Sequence, residues 1–470
     1  MWLLNKTESC RHAFALGYCF GFGFFAFGLS WIANALALDM KSFGWLIPIA
    51  LSASGAFFGF FIALPAMLTA YFRGIWSKII IFATFWAVFE WLRSFLLTGF
   101  PWNLLSSALT FDHQLLQLSA LVGPYGFSLL LCIIFSLPAA AFTAPYRRNA
   151  LISAFLCIFL SGTIYEWGVY RTANLDSNNF SDIKIRVVQP SIPQNLKWDF
   201  GEQEKNFADY IEMSQAKGFE DSDVIIWGET ASTFPIAIDR AHFYQLLPAV
   251  PDNGHLIIGS IDYHQDENER WLPVNAGLIL KHGKGIVDSY AKSHLVPFGE
   301  YIPLRKWLPD SLRPITKVIT DFKSGNGLVT YTKDGLPPFG LLICYEIIFP
   351  HHVIDNNNRP QWLINLTNDG WYGTGAGPYQ HLAAAQLRAV EEGITIVRAA
   401  NSGISALISP TGKIIASLAL HKRGNLDFYL PQKLSLPTPY SQYGNQCFGI
   451  ICLAAFFVAS LLSLLAKRYK

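Results

Sequence analysis

FGLLICY, residues 339–345, is an unbroken apolar run with a thiol, Cys344, one residue before its end. A short run of this kind, preceded by Pro337 and Pro338, suits a strand buried on both faces. The pattern recurs in IKIRVVQ (183–189), DVIIWGE (223–229), HLIIGSI (255–261), NAGLILK (275–281), QWLINLT (361–367) and ITIVRAA (394–400). Helical periodicity lies between some of these runs, in QEKNFADYIEMSQAKG (203–218) and QHLAAAQLRAVEEG (380–393), with Gly393 as a C-terminal stop. Buried strands alternating with helices make an α/β domain, which we place at residues 182–435. Gly, Pro and aromatic residues crowd 300–327 and 371–379, which read as long loops at strand ends, where function concentrates.

The rest of the 470 residues obeys a different solvent. Only 14% of the chain is charged, and 13 of its 68 charged residues fall in residues 1–170. Soluble domains carry about 25%. With a net charge of +2 and no Lys/Arg run, a disordered chain and a basic nucleic-acid binder are both excluded. No Asp, Glu, Lys or Arg interrupts 13–38, 44–72 or 113–146, and 79–99, 150–170 and 447–466 are also long and apolar. Roughly 20 apolar residues cross a bilayer core, so the sequence predicts five membrane helices within 1–170 and a sixth at 447–466. The first is too long for the apolar core of a cleaved signal. Lys6, Arg11, Arg73, Lys78, Arg147, Arg148, Lys467, Arg468 and Lys470 then fall on one side. That side is the cytoplasm, and the α/β domain faces away from it, into the periplasm of a bacterium.

Six of the seven cysteines lie in or beside apolar spans; only Cys344 belongs to the polar domain. It has neither a disulfide partner there nor a metal-ligand spacing, which leaves packing or chemistry. Its company argues for chemistry. Glu229 ends VIIWGE, Lys292 follows IVDSYA, and Cys344 ends GLLIC. Three reactive side chains at C-terminal strand ends converge on one edge of a sheet, where open α/β folds place their sites. A desolvated Glu takes the thiol proton, while Lys⁺ favours thiolate and, with a backbone N–H near Tyr345, steadies an oxyanion.

At these residues the chain resembles the nitrilase (carbon–nitrogen hydrolase) superfamily, which uses a Glu, Lys, Cys triad on an αββα sandwich. With its flanking spans it is similar to the apolipoprotein N-acyltransferase branch. The matching motifs are TGFPW (98–102), QPSIPQNLKW (189–198), WGET (227–230), YAKSHLVPFGEYIP (290–303), ICYEIIFP (343–350), LTNDGWYG (366–373) and RAANSGISALISPTG (398–412), together with the 380–393 helix. The resemblance implies acyl transfer in two half-reactions. Cys344 takes a fatty acyl chain from a membrane phospholipid, phosphatidylethanolamine by the family pattern, and the thioester is resolved by the α-amino group of a diacylglyceryl-cysteine lipoprotein. It also implies Glu229 as general base, Lys292 as oxyanion stabiliser, and Glu300, Tyr345, Glu346, Trp198 and Asn275 as accessory positions. No metal or cofactor is needed, and the location implied is the bacterial inner membrane. The family pattern has two more spans ahead of GYCFGFGFFAFGLSW (17–31); here that pair is either absent or lost to a misassigned start, and parity keeps the catalytic domain outside.

The alternative within enzymology is a membrane-tethered amidase or nitrilase, in which water resolves the thioester. A transporter or receptor would need polar groups deep in several spans, and only Glu90 and Arg93 qualify. Those two, at i and i+3, read as an internal ion pair. His294 reads as structural, and Arg388, Glu391 and Glu392 as a solvated charged helix face. Apolar loops beside Cys344 have a use in lifting an acyl chain partway from the bilayer, since each buried CH₂ contributes about 0.8 kcal/mol.

Overall fold

The structure is a computed structural model that describes residues 1–175, 180–265, 269–307 and 321–468. Every predicted strand forms. The first sheet holds β1 (Phe180–Gln189), β2 (Val224–Trp227), β3 (His255–Gln265), β4 (Trp271–Lys281) and β5 (Gly285–Ala291). The second holds β6 (Thr330–Lys333), β7 (Leu336–Ile343), β8 (Trp362–Thr367), β9 (Thr395–Ala400), β10 (Ser405–Ile408) and β11 (Ile414–Leu418). The last strand, β12 (Gly424–Pro431), returns to the first sheet, giving orders β12-β1-β2-β3-β4-β5 and β11-β10-β9-β8-β7-β6. Parallel centres (β1, β2, β3 and β7, β8, β9) carry antiparallel flanks in both sheets.

Side-chain alternation explains the layering. Leu341, Ile343, Ile364 and Leu366 meet Ile185, Val187, Ile226 and Ile257 between the sheets. Leu363 and Ile396 turn the other way, against Leu382, Ala385 and Ala389 of the Ala376–Glu392 helix. On the first sheet's outer face Ile225, Trp227 and Leu256 pack on Phe207 and Tyr210 of the Gln203–Ser214 helix. The result is the αββα order expected of the nitrilase fold, and Gly393 caps its helix at φ +65° as predicted.

Among the described residues five helices are long and apolar enough to cross a membrane: Met40–Thr69, Ile75–Arg93, Leu115–Phe142, Tyr146–Leu175 and Gln446–Arg468. The expected first span is the Cys10–Gly28 helix, which is richer in Gly and less apolar than these and is not among the five. It packs lengthwise on the Ile47–Thr69 helix, Gly17 and Gly21 meeting Ala63, Ala66 and Gly59 at backbone distance.

Two charged groups differ from expectation. Glu90 and Arg93 make no ion pair among the described residues; each instead clamps the chain that leaves their helix. Arg93 Nη1 donates to the carbonyls of Phe100 (2.7 Å) and Trp102 (2.6 Å), and Glu90 Oε1 accepts from Leu105 N (2.8 Å). A turn of non-helical backbone buried beside a span needs such partners more than the two charges need each other. Arg388, Glu391 and Glu392 are buried, not solvated. Their helix lies between the second sheet and the membrane helices, so it has no water face there. Arg388 pairs with Glu391 and donates to Ile348 O at 2.9 Å, while Glu392 pairs with Arg359 at 3.1 Å.

Candidate active site

Glu229 and Lys292 each fall just past the C-terminal end of a first-sheet strand, β2 and β5, which run in the same direction. Cys344 follows β7 in the facing sheet. The sheets meet closely there. A Cβ on Gly228 would stand 3.1 Å from backbone atoms of Thr367, Ala400 and Asn401, so only glycine lets β2 deliver Glu229 to this edge. Ladder register does the rest: Lys292 N donates to Asn275 O at 2.8 Å, which sets the two side chains together.

Lys292 is 1% exposed, with Nζ 2.9 Å from Glu300 Oε1 and 3.6 Å from Glu229 Oε1. Asn275 Nδ2 donates to Glu229 Oε1 (2.8 Å) and Glu300 Oε1 (2.9 Å), and Glu300 Oε2 accepts from Val296 N (2.8 Å). Burial would lower the Lys292 ammonium, but Glu300 and Glu229 outweigh it and hold it above its ordinary range. One of the two Glu229 oxygens is thereby committed. The other, Oε2, is buried and has no hydrogen-bond partner among the described residues, an acceptor open to a proton.

Cys344 adopts φ +50°, a left-handed conformation costing a β-carbon residue roughly 1–2 kcal/mol. Strain of this kind persists where neighbours impose it. Its Sγ lies 3.9 Å from Tyr372 Oη, and the residue is 4% exposed. Burial first, then Glu229, pushes the thiol up to about 12, with Lys292 pulling the other way. Burial and Glu229 both favour the neutral thiol, and Tyr372 is a side chain in contact with the sulfur. A cavity of about 790 Å³ opens along Thr98, Ser293, His294, Tyr301, Trp307 and Phe322; its wall starts at the residue after Lys292 and does not include Cys344, and its size is within the usual range for ligand pockets of roughly 300–1,000 Å³. The predicted loop at 300–327 supplies part of this wall; its residues 308–320 lie outside those described.

The accessory positions divide. Glu300 and Asn275 join the Lys292 cluster. Tyr345 and Glu346 spend their polar atoms on the scaffold. Tyr345 Oη donates to Gly99 O (2.9 Å). Glu346 Oε1 accepts from Tyr290 Oη (2.7 Å), Ser293 N and Oγ (2.8 Å each) and His294 N (3.1 Å), while Oε2 accepts from Ile343 N (2.7 Å). This carboxylate ties the segment after β5 to the strand before Cys344. Trp198 sits after the Gln194–Lys197 turn, its Nε1 buried without a partner. His294 is structural as read, Nε2 lying 2.9 Å from Thr98 O.

The sequence had not singled out Lys197, the residue beside Trp198. It is 3% exposed, donates from Nζ to Glu229 O at 2.9 Å, and burial lowers its ammonium to about 8. Nor had it flagged the buried set Asp369, His381 and Arg398 beneath Cys344. Each lay inside a quoted motif, but no spacing joined residues 12 to 29 apart.

Residues 1–137 match the apolipoprotein N-acyltransferase N-terminal domain family, and residues 184–427 match the carbon-nitrogen hydrolase family. A Rickettsia prowazekii apolipoprotein N-acyltransferase is 36% identical over 99% of this chain and 92% of its own length. The Rhodopseudomonas palustris apolipoprotein N-acyltransferase is 34% identical over 100% and 89%. The chain belongs to the apolipoprotein N-acyltransferase family. Among solved structures, a Nesterenkonia amidase of the nitrilase superfamily is similar at 17% identity and TM-score 0.41, over 56% of this chain and 94% of its own. In this apolipoprotein N-acyltransferase family member the two matched regions touch at the site. Trp102 Nε1 and Trp31 Nε1 both donate to Gln380 Oε1, at 2.7 and 3.0 Å, and Asn34 Nδ2 donates to Tyr372 O at 2.9 Å.

Proposed function

We propose that this chain transfers a fatty acyl group from a membrane phospholipid, through a thioester on Cys344, to the α-amino group of a diacylglyceryl-cysteine lipoprotein. The observation that carries the reading is the Lys292 ammonium gripped by Glu229 and Glu300, with Glu229 Oε2 left without a partner among the described residues, at the end of β2 that faces the β7 end carrying Cys344. In the first half-reaction Oε2 takes the thiol proton as Sγ bonds to the ester carbonyl carbon, and the oxyanion faces Lys292. Collapse breaks the C–O bond, and the proton passes to the departing lysophospholipid oxygen. In the second, the amine nitrogen bonds to the thioester carbon, its proton goes to Glu229 and then to Sγ as the C–S bond breaks. An ester and an amine become an alcohol and an amide, with nothing oxidised.

Both substrates are anchored in lipid, and the short-loop Lys/Arg groups support an inner-membrane protein whose catalytic domain faces the periplasm. Access requires the Tyr372 loop to move off Cys344. The match to carbon-nitrogen hydrolases keeps a second reading, hydrolysis of the thioester by water. Intact-mass measurement decides between them. Purified protein given phosphatidylethanolamine should gain one acyl mass on Cys344 and lose it to a diacylated lipopeptide as an N-acyl product. Release of free fatty acid alone would support the hydrolase, and an adduct that survives Cys344→Ala would remove the thioester.

A further inference from the structure

Directly beneath the thiol lies a charged set that the scheme above does not use. His381, Asp369 and Arg398 are all fully enclosed, and they come from three elements: the Ala376–Glu392 helix, the turn after β8, and β9. Arg398 Nη2 holds Asp369 by both carboxylate oxygens, at 2.8 and 2.7 Å, and its Nη1 donates to Asn365 Oδ1 at 2.7 Å. Burial alone would raise the Asp369 carboxyl, but Arg398 and His381 keep it well below the usual carboxylate range. His381 Nδ1 lies 2.9 Å from Asp369 Oδ1 and 3.1 Å from Arg398 Nη2. Its other nitrogen, Nε2, lies 3.1 Å from the backbone carbonyl oxygen of Cys344. That oxygen can only accept, so Nε2 carries a proton. With Nδ1 bare the ring accepts from Arg398; with Nδ1 protonated it faces Asp369. Both forms keep Nε2–H on Cys344 O.

We infer that His381, set by Asp369 and Arg398, is a positioning residue that aims the Tyr345 backbone N–H at the oxyanion formed on Cys344. The step from observation to role is peptide geometry. A trans peptide is planar with its C=O and N–H on opposite edges, so pinning Cys344 O fixes where Tyr345 N–H points. His381 approaches from the helix covering the outer face of the second sheet. The opposite direction is the space between the sheets, where Cys344 packs and from whose far side Glu229 and Lys292 come. The same hydrogen bond opposes relaxation of Cys344 from φ +50°, the conformation that aims its peptide this way. Trp102 stacks on the His381 ring with centroids 5.5 Å apart, so the membrane-side loop helps hold its orientation.

This role rests on the thioester reading and is separable from it. Oxyanion stabilisation matters when Sγ adds to a carbonyl, and not when Sγ displaces iodide from iodoacetamide, a substitution without an oxyanion. The full chain in detergent, compared as unsubstituted protein, His381→Phe and His381→Gln, is therefore followed by two rates at Cys344, each read by mass spectrometry on the peptide carrying it. Acyl-adduct formation from phosphatidylethanolamine should fall tenfold to a hundredfold in His381→Phe, less than or equal to the loss on deleting an oxyanion donor outright. Alkylation by iodoacetamide should stay within about threefold, the scatter expected of a neighbouring change that leaves the thiol in place. His381→Gln, whose amide offers N–H to the same carbonyl, should recover most of the acylation rate. Undiminished acylation in His381→Phe, an equal loss in both reactions, or failure of Gln to rescue would each overturn the role. Absence of any Cys344 adduct in the unsubstituted protein would instead overturn the thioester reading, and this role with it.

Discussion

The Cys344 thiol is pushed up to about 12 chiefly by its own burial, so at pH 7 the neutral form is the favoured one. That separates this site from cysteine enzymes with a preformed thiolate pair, whose alkylation is flat across neutral pH. Here the folded pKa lies above the ordinary thiol value, so thiolate grows as pH rises toward 12. Alkylation of Cys344 by iodoacetamide should therefore increase close to tenfold per pH unit between pH 7 and 9. A rate independent of pH in that window would show a thiolate already present. A second residue-scale expectation concerns Glu346. Five donors from Tyr290, Ser293, His294 and Ile343 converge on one buried carboxylate. Glu346→Ala takes the acceptor from all five and strands the two buried ones, Tyr290 Oη and Ile343 N, away from water. Since each unmade buried bond costs about 1–3 kcal/mol, the variant should lose about 3 kcal/mol of stability, read as its denaturation midpoint in detergent. Acylation should fall with it, because the segment carrying Lys292 loses its tie to the Cys344 strand.

Among the elements, close helix contact without side chains is the feature most open to test. A Cβ on Gly21 would stand 2.8 Å from Gly59 O across the helix pair, whereas a Cβ on Gly23, two residues on, meets nothing within 4 Å. Gly21→Ala should lower stability by about 1–3 kcal/mol through forced separation, and Gly23→Ala should be neutral or slightly stabilising, by thermal melts of the two variants side by side. The sequence showed the elements that bury both faces: the seven apolar runs all became strands, because nothing but a sheet interior tolerates them. It was silent on β6, β11 and β12, which flank or edge the sheets and are partly exposed, and on β10, whose four buried residues make too short a run to stand out. The Ala376–Glu392 helix starts four residues before the expected 380, inside the stretch read as a 371–379 loop, and its charged face was read wrongly in environment. Arg388, Glu391 and Glu392 look solvated when judged by type, and only the tertiary stacking of sheet, helix and span removes their water. For the same reason Glu229, Lys292 and Cys344 stood out by their place at strand ends. His381 and Lys197 did not, since each meets the triad through a backbone carbonyl, of Cys344 and of Glu229, which no pattern of side-chain types records.

At the scale of the whole molecule, the segment after the Ile75–Arg93 helix joins two chemistries. Arg93 fixes its carbonyls from below, and Thr98, Gly99 and Trp102 hold His294, Tyr345 and Gln380 from above. Such a clamp is useful only if the site sits at one bilayer face with lipid arriving sideways, which makes orientation the property on which the proposed function turns. Arg147 and Arg148 begin the helix that leads into the catalytic domain, so a positive-inside arrangement puts the two ends of that helix on opposite sides. Phe200, 91% exposed, marks the catalytic domain, and Tyr146, 64% exposed, marks the helix start. With the exposed native cysteines replaced by serine, Phe200→Cys should react with a membrane-impermeant maleimide in intact spheroplasts, and Tyr146→Cys only after the membrane is permeabilised. The reverse pattern would place Cys344 on the side where neither a periplasmic lipoprotein N-terminus nor an outer-leaflet phospholipid can reach it, and the acyl transfer proposed here would have no substrates.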